Sequence, residues 1–177
     1  MLHVICLNPA IDKIYRISDF AAGEDYPGQK PEMRVGGKGV NVARVLSQLG
    51  APVHLYGFLG EGGDIIRKEM KERCVCSFFD VSGACRTTVN IIDPKSGRET
   101  VITEAGPQVS ESDVRELMLE LSDRVQPGDI VAASGSIIAG APADIYAQIS
   151  RICGEIGAKC ALDCNTSALK SSLSGDV

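Results

Sequence analysis

Residues 32–50 have the sequence EMRVGGKGVNVARVLSQLG, in which a glycine-rich loop precedes a helix-like segment. The Gly-Lys pair resembles a nucleotide phosphate loop, but Gly39 follows Lys38 where that motif has Ser or Thr. Val42 stands where a dinucleotide-binding fingerprint has its last glycine. The stretch therefore matches neither nucleotide motif, and its glycines and lysine need another explanation.

The residues after the loop predict an amphipathic helix. Val42, Val45, Leu46 and Leu49 recur at helical spacing, and Gly50 follows where a C-terminal cap is expected. The glycine loop then lies at a helix N-terminus, where backbone amides lack partners and the partial charge is positive.

The loop has the composition of a site for a small anion or a sugar. Gly37, like Gly36 before it, can expose backbone amides, and Gly39 would let a ligand approach the first helical turn. Lys38 adds a positive charge, and Asn41 offers both a donor and an acceptor. The alternative is a plain glycine turn between a strand and a helix, but a lysine among three glycines favours the binding site.

Outward from this stretch, buried strands and helices alternate along the chain. Apolar runs predict four core strands, within residues 2–8, 52–60, 129–136 and 158–165. Apolar stripes predict further helices within 64–73, 110–125 and 141–157, and Ser110 with Asp113 forms a capping-box-like start. A hairpin over 86–104 interrupts the alternation. The pattern predicts an α/β fold with an open, mostly parallel sheet flanked by helices and a small β appendage.

Composition excludes several classes of protein. The 177 residues carry a net charge of -5, with no basic stripe, which argues against nucleic-acid binding. No apolar run is long enough to span a membrane, and the start of the chain does not resemble a leader, so we expect a cytoplasmic protein with no membrane partner. The seven cysteines include no CxxC pair, and His3 and His54 are isolated, so we expect reduced thiols and no metal site.

In an open α/β sheet, ligands bind beyond the carboxyl ends of the strands. The corresponding loops are rich in Gly, Ser, Asn and Asp, and they cover residues 8–12, 57–63, 134–140 and 163–167. Turns are commonly rich in these residues, so for any single loop a purely structural explanation remains open.

A series of motifs resembles the ribokinase-like (PfkB) carbohydrate kinases. GGKGVNVARVLSQLG at 36–50 resembles the first signature of that family, and LNPAID at 7–12 with Gly-Gly-Lys-Gly resembles its phosphosugar branch. The other matching motifs follow in the family's order over nearly the whole chain: GFLGEGGD at 57–64, TTVNIID at 87–93, TEAGP at 103–107, SGSIIAG at 134–140 and LDCNTSAL at 162–169.

The resemblance implies roles for individual residues. Asp12 would accept hydrogen bonds from sugar hydroxyls, and Arg86 would hold the phosphate that the substrate already carries, which suits a guanidinium fork. The implied substrate-binding set is Asp12, Gly37, Lys38, Asn41, Arg86, Ser134 and Ser136. For Arg86 an exposed strand-edge charge, and for the two serines a polar turn, are the structural alternatives. Segments of about 11–35 and 86–104 would form a β lid that also serves as a dimer interface.

The implied reaction is transfer of a phosphoryl group from ATP, with Mg²⁺, to a sugar phosphate. Fructose 1-phosphate, giving fructose 1,6-bisphosphate, is the expected substrate, with tagatose-6-phosphate kinase activity as the alternative. A kinase for nucleosides or neutral sugars fits less well, because Lys38 and Arg86 supply more positive charge than a neutral acceptor needs. A non-catalytic sugar-phosphate-binding fragment is the alternative from another class.

The chain also departs from the family pattern. Ile138 stands where the family commonly has Pro, and Asn165-Thr166 replaces its usual Ser-Gly pair. The general-base aspartate, the anion hole and most of the nucleotide pocket would lie beyond residue 177. We therefore expect residues 1–177 to form the N-terminal part of one ribokinase-like domain, truncated before the C-terminal nucleotide-binding part. Alone, it should lack kinase activity and have an exposed sheet edge that lowers its stability.

Overall fold

The computed structural model of the chain describes residues 1–173 and contains two β-sheets. The larger sheet has five parallel strands, ordered β5-β4-β1-β8-β9. Their bounds are β1 Leu2–Ile5, β4 Val53–Glu61, β5 Val75–Ala84, β8 Ile130–Ser134 and β9 Lys159–Asp163. Helices connect most of these strands, namely α1 Lys38–Gln48, α2 Asp64–Lys71, α3 Glu111–Arg124 and α4 Ile145–Ile156, with α5 Thr166–Leu173 after β9.

The smaller sheet has four strands in the order β3-β2-β6-β7 and mixes parallel and antiparallel pairs. Its strands are β2 Ala10–Arg16, β3 Glu32–Gly36, β6 Arg86–Ile92 and β7 Glu99–Thr103. Strand β7 is exposed along its whole length, whereas most of β2 and β6 is half-buried. This sheet begins where β1 and β5 leave the parallel sheet, so it lies beside the carboxyl ends of those strands.

Two apolar clusters cover the two faces of the parallel sheet. One includes Leu117 and Ile149, which bring α3 and α4 against β1, β4 and β8. The other includes Val40 and Ile66, which bring α1 and α2 against β1 and β4. Buried apolar side chains on both faces are typical of parallel strands that helices cover on each side.

The predicted α/β fold class is confirmed. All four predicted core strands lie in the parallel sheet, and the predicted hairpin forms β6 and β7. The Ser110 side chain accepts a hydrogen bond from the Asp113 amide at 3.3 Å, and the Ser110 amide donates to the Asp113 carboxylate at 2.7 Å. Gly50, with a φ of 76°, follows α1 as expected of a residue that ends a helix.

Strand β5 was not predicted. It lies at the sheet edge, pairs only with β4 and carries Ser77, Asp80 and Ser82 among its apolar residues. These polar residues interrupt the apolar run on which the strand predictions relied. Strands β2 and β3 were likewise expected only as part of a lid segment over 11–35 and not as separate strands.

Candidate functional site

Chain topology brings several of the predicted residues to the carboxyl edge of the parallel sheet. Arg86 begins β6 directly after β5 and is level with Ala10 of β2, which in turn is level with Gly36 at the end of β3. Helix α1 begins two residues after Gly36, at Lys38. One region therefore contains the exits of β1 and β5, the start of the smaller sheet and the N-terminus of α1.

Packing against β1 explains the glycines before α1. A Cβ atom on Gly39 would lie 2.6 Å from the Cys6 Cβ and 2.9 Å from the Ile5 carbonyl oxygen. Gly37 has a φ of 109°, and a Cβ there would lie 3.1 Å from the Cys6 sulphur. The space that a Gly39 Cβ would need is thus filled by Ile5 and Cys6, which explains a glycine at this position, and the approach of a ligand to the first turn of α1 stays a prediction.

The Cys6 thiol also occupies part of the helix N-terminus. Burial raises the pKa of Cys6, and the backbone amides of Val40 and Gly39 oppose that rise. Both amides belong to the first turn of α1, next to this buried sulphur. The Lys38 side chain is exposed, so its charge lies on the solvent side of the loop.

Lys38 and Ser134 converge on Asp163, at the end of β9. The Lys38 Nζ lies 3.4 Å from Asp163 Oδ1, and the buried Ser134 hydroxyl donates to Asp163 Oδ2 at 2.9 Å. The Ser134 hydrogen bond and the Lys38 charge lower the pKa of Asp163. The side chains of Lys38 and Asp163 are 61% and 66% exposed, so this ion pair is accessible to a ligand.

Two other predicted residues have specific neighbours. Asp12 is half-buried, and its carboxylate lies against Gly36, where an added Cβ would come within 2.1 Å of Oδ2. Asn41 is exposed, but its Oδ1 accepts a hydrogen bond from the Arg44 Nη1 at 2.6 Å. The acceptor expected of Asn41 is therefore engaged within the protein.

Within residues 1–173, the buried side-chain nitrogen and oxygen atoms that lack a hydrogen-bond partner are Asn8 Oδ1, Arg86 Nε and Ser136 Oγ. Asn8 follows β1, Arg86 follows β5 and Ser136 follows β8. All three thus lie beyond the carboxyl ends of parallel strands. A buried polar atom without a partner is costly, and such atoms commonly mark a position that water or a ligand fills.

Sequence reasoning identified Arg86 and Ser136 but missed Asn8 and Asp163. Asn8 follows β1 and Asp163 is the last residue of β9, and both lie within the strand-exit segments 8–12 and 163–167 that the sequence indicates. Asn8 lies near Gly106, where a Cβ would be 2.6 Å from its Oδ1, although the two are far apart in sequence. Such contacts depend on the order of the strands, which the apolar pattern alone does not give.

Among the described residues, no group of three or more His, Cys, Asp or Glu side chains is arranged to hold a metal ion. The helices within residues 1–173 include none that combines the length and the apolar character needed to cross a membrane. The carboxyl edge instead offers two cations, two carboxylates and unpaired polar atoms, a set suited to an anionic, hydroxyl-bearing molecule.

Several solved structures with the same fold are phosphofructokinases by name. A possible 1-phosphofructokinase from Thermotoga maritima is 31% identical with a TM-score of 0.87, and the match covers 99% of this chain and 57% of that one. A candidate phosphofructokinase from Staphylococcus aureus is 29% identical with a TM-score of 0.81, covering 98% and 56%. Phosphofructokinase-2 from Escherichia coli in complex with fructose-6-phosphate is 21% identical with a TM-score of 0.87, covering 97% and 57%, and shows the fold alone.

The chain thus spans less than two thirds of the length of the proteins that it matches. The model of the pfkB family carbohydrate kinases matches residues 1–174, which is nearly the whole chain. The resemblance inferred from the Gly-Gly-Lys-Gly stretch and the other motifs is therefore confirmed, and the chain belongs to the pfkB family of carbohydrate kinases.

Proposed function

We propose that this chain provides the acceptor-binding part of a sugar-phosphate kinase whose acceptor is fructose 1-phosphate and whose product is fructose 1,6-bisphosphate. The observation that carries the proposal is the Arg86 side chain, whose Nε is buried without a hydrogen-bond partner. Its position at the start of β6, level with Ala10, puts it beside the exit of β1.

An anion would complete the hydrogen bonding of Arg86. Leaving a buried donor unpaired costs about 1–3 kcal/mol, and a phosphate oxygen removes that cost while also neutralising charge. Burial raises the pKa of Cys6, and the positive charge of Arg86 partly opposes this rise. The guanidinium therefore lies close to the loop before α1, where Lys38 supplies the second cation.

The remaining residues would bind the sugar. Asp12, beside Gly36, would accept hydrogen bonds from hydroxyl groups, and the unpaired Ser136 and Asn8 oxygens would meet further polar atoms of the acceptor. The Ser134 hydroxyl donates a hydrogen bond to Asp163, and Asp163 in turn forms an ion pair with Lys38. This arrangement limits the positions of the Lys38 ammonium group, and positioning is a major part of phosphoryl-transfer catalysis.

ATP with Mg²⁺ would supply the phosphoryl group in the complete enzyme. The described residues include no cluster suited to that ion, so we assign no step of the transfer to them. The β3-β2-β6-β7 sheet would act as a lid that excludes water from the acceptor. Its exposed Met33, Val101 and Ile102 would pack against a second copy in a homodimer.

Calorimetric titration of fructose 1-phosphate into the chain and two variants tests the assignment. We expect Arg86→Ala to weaken binding about 10- to 100-fold, because a charged hydrogen-bond partner contributes about 1.5–3 kcal/mol. Lys38→Ala should weaken it several-fold, since its ammonium group is more exposed. Arg98→Ala is the matched control, because Arg98 is an exposed arginine before β7, and it should bind like the unmodified chain.

Unchanged affinity in both Arg86→Ala and Lys38→Ala would refute the site. Titrations with tagatose 6-phosphate and with fructose distinguish the acceptors: tighter binding of tagatose 6-phosphate would favour that kinase, and equal binding of fructose would exclude a phosphate site. Phosphoryl transfer is measured separately, with ATP and Mg²⁺ and the complete protein. Binding without transfer in the complete protein would make it a sugar-phosphate-binding protein.

A further inference from the structure

Two cysteine thiols face each other at the end of the parallel sheet opposite to the candidate site. The Cys74 and Cys76 sulphur atoms are 3.8 Å apart, and both residues are half-buried. Cys74 lies in the bend between α2 and β5, and Cys76 is the second residue of the edge strand β5. The sulphurs must approach by under about 2 Å to reach a disulfide bond length of about 2.05 Å.

The pair is reachable from solvent. Cys76 lines an open groove of about 500 Å³ between α2 and α3, together with Arg67 and Lys71 from α2. Arg67 lies over the Phe78 ring at 5.8 Å from its centroid and forms an ion pair with Asp80. Cys76 is thus reachable through this groove, and Cys74 is only half-buried, so a small oxidant reaches the pair without unfolding of the core.

The two thiols differ in character. The hydrogen bond with Cys76 lowers the pKa of Cys74, against the opposing effect of burial, and the Arg73 charge lowers it further. The same hydrogen bond, together with burial, raises the pKa of Cys76. Thiolates are the nucleophilic form of cysteine, so Cys74 is the attacking residue and Cys76 the one that resolves the product.

We propose that Cys74 and Cys76 form a dithiol site that hydroperoxides oxidise to a disulfide. The Cys74 thiolate attacks one peroxide oxygen, the O–O bond breaks, and the leaving oxygen takes a proton to become water or an alcohol. Cys74 is then a sulfenic acid. The Cys76 sulphur attacks the Cys74 sulphur, and the displaced hydroxide leaves as water with the Cys76 proton. Two thiols lose two electrons in total, and one hydroperoxide gains them.

The other cysteines lack this combination of proximity and access. Cys153 is close to Cys160 but is only 2% exposed within the core. Cys85 is buried at the far end of β5, where its sulphur contacts the backbone of Gly60. An extended strand separates Cys85 from Cys76, so these two residues do not meet in the folded chain.

The proposal is independent of sugar-phosphate binding. The dithiol lies at the start of β5, whereas Arg86 follows the end of the strand, so the remaining eight strand residues, 77–84, separate the two sites. A disulfide at Cys74 and Cys76 should therefore leave the affinity for fructose 1-phosphate within about twofold of that of the reduced chain, a difference of under about 0.5 kcal/mol.

Peptide mapping of the whole chain after one equivalent of hydrogen peroxide tests the site. The free thiols are blocked with iodoacetamide in denaturant, and trypsin then releases residues 74–86, CVCSFFDVSGACR, which contain Cys74, Cys76 and Cys85. We expect this peptide to carry one blocking group, on Cys85. Its mass should also be lower by two hydrogen atoms, because Cys74 and Cys76 are joined in a disulfide. The unmodified chain is sufficient for this readout, so it does not depend on the folding of any variant.

Cys76→Ala is the matched variant, and it should form no bond in this peptide and leave a Cys74 sulfenic acid that dimedone traps. Three blocking groups on the peptide after the peroxide is consumed would overturn the proposal, as would a bond to Cys85. A disulfide between Cys153 and Cys160 with none at Cys74 would overturn it as well. None of these outcomes affects the titrations with fructose 1-phosphate.

Discussion

Two polar clusters of the parallel sheet differ in how their polar atoms are paired. At the carboxyl edge, Arg86 and Ser136 keep buried atoms without partners. Towards the amino end of β1 and β4, His3 contacts the Tyr56 hydroxyl through Nδ1 at 2.9 Å and Asp129 through Nε2 at 3.1 Å. His54 stacks on Tyr56 with ring centroids 4.2 Å apart.

The difference indicates what each cluster does. Buried polar groups that are fully paired inside the protein stabilise one arrangement of the core. Buried groups that stay unpaired lower the stability of the free protein, and a ligand can supply their missing partners. The histidine cluster is therefore structural, whereas the carboxyl edge keeps the unpaired atoms on which the proposed binding site depends. The predictions below test this contrast through the stability of the chain, measured by urea unfolding.

The largest effect is expected at Gly39, which seats α1 against the carboxyl edge. Gly39→Ala places a Cβ 2.6 Å from the Cys6 Cβ, and overpacking of this kind costs up to about 3 kcal/mol. Gly154→Ala in α4 is the control, because nothing lies within 4 Å of the added Cβ. It should raise stability by up to about 1 kcal/mol. Equal stability of the two variants would show that the loop before α1 is not packed as described.

The next effect concerns the pH dependence of the histidine cluster. Burial, followed by the charge of His3, lowers the pKa of His54 from 6.5 to about 4. Between these values the unfolded chain binds a proton that the folded chain does not, so stability should fall as the pH drops from about 6.5 to about 4. The loss should be about 2–3 kcal/mol.

His54→Gln should flatten this slope, although the variant is less stable overall. Asp129 does not contribute to the slope in this pH range, because hydrogen bonds from the amino terminus and the Gln126 amide lower its pKa from 3.8 to about 2. The stabilising contribution of Asp129 is therefore lost only below about pH 4, outside the range in which His54 titrates. A slope that persists between pH 6.5 and 4.5 in His54→Gln would assign the effect to another group.

The smallest effect compares two buried hydroxyl groups directly. Tyr56→Phe removes the partner of His3 Nδ1 and should cost about 1–2 kcal/mol, because it leaves a buried nitrogen unpaired. Ser136→Ala removes a hydroxyl that has no partner, so stability should stay unchanged or rise by up to about 1 kcal/mol. A similar loss of stability in both variants would contradict the difference described between the two clusters.

Much of the fold could be predicted because it depends on local patterns. The apolar runs identified β1, β4, β8 and β9, and Ser110, Asp113 and Gly50 marked helix ends through hydrogen bonds to nearby backbone. Strand β5 could not be found in this way, because the polar residues Ser77, Asp80 and Ser82 interrupt its apolar residues. Its burial depends on α2, on α3 and on β4, and all of these partners lie outside the strand.

The candidate site likewise has features that the sequence predicts and features that depend on the tertiary structure. The sequence by itself determined the glycine loop, the Lys38 charge and the family, because these depend on residue types at fixed spacing. Only the tertiary structure decided that Gly39 packs on Cys6, that Asp163 holds Lys38 and that Arg86 stays unpaired. These relations join residues far apart in the chain, so they depend on strand order and on the competition of each polar atom for a partner.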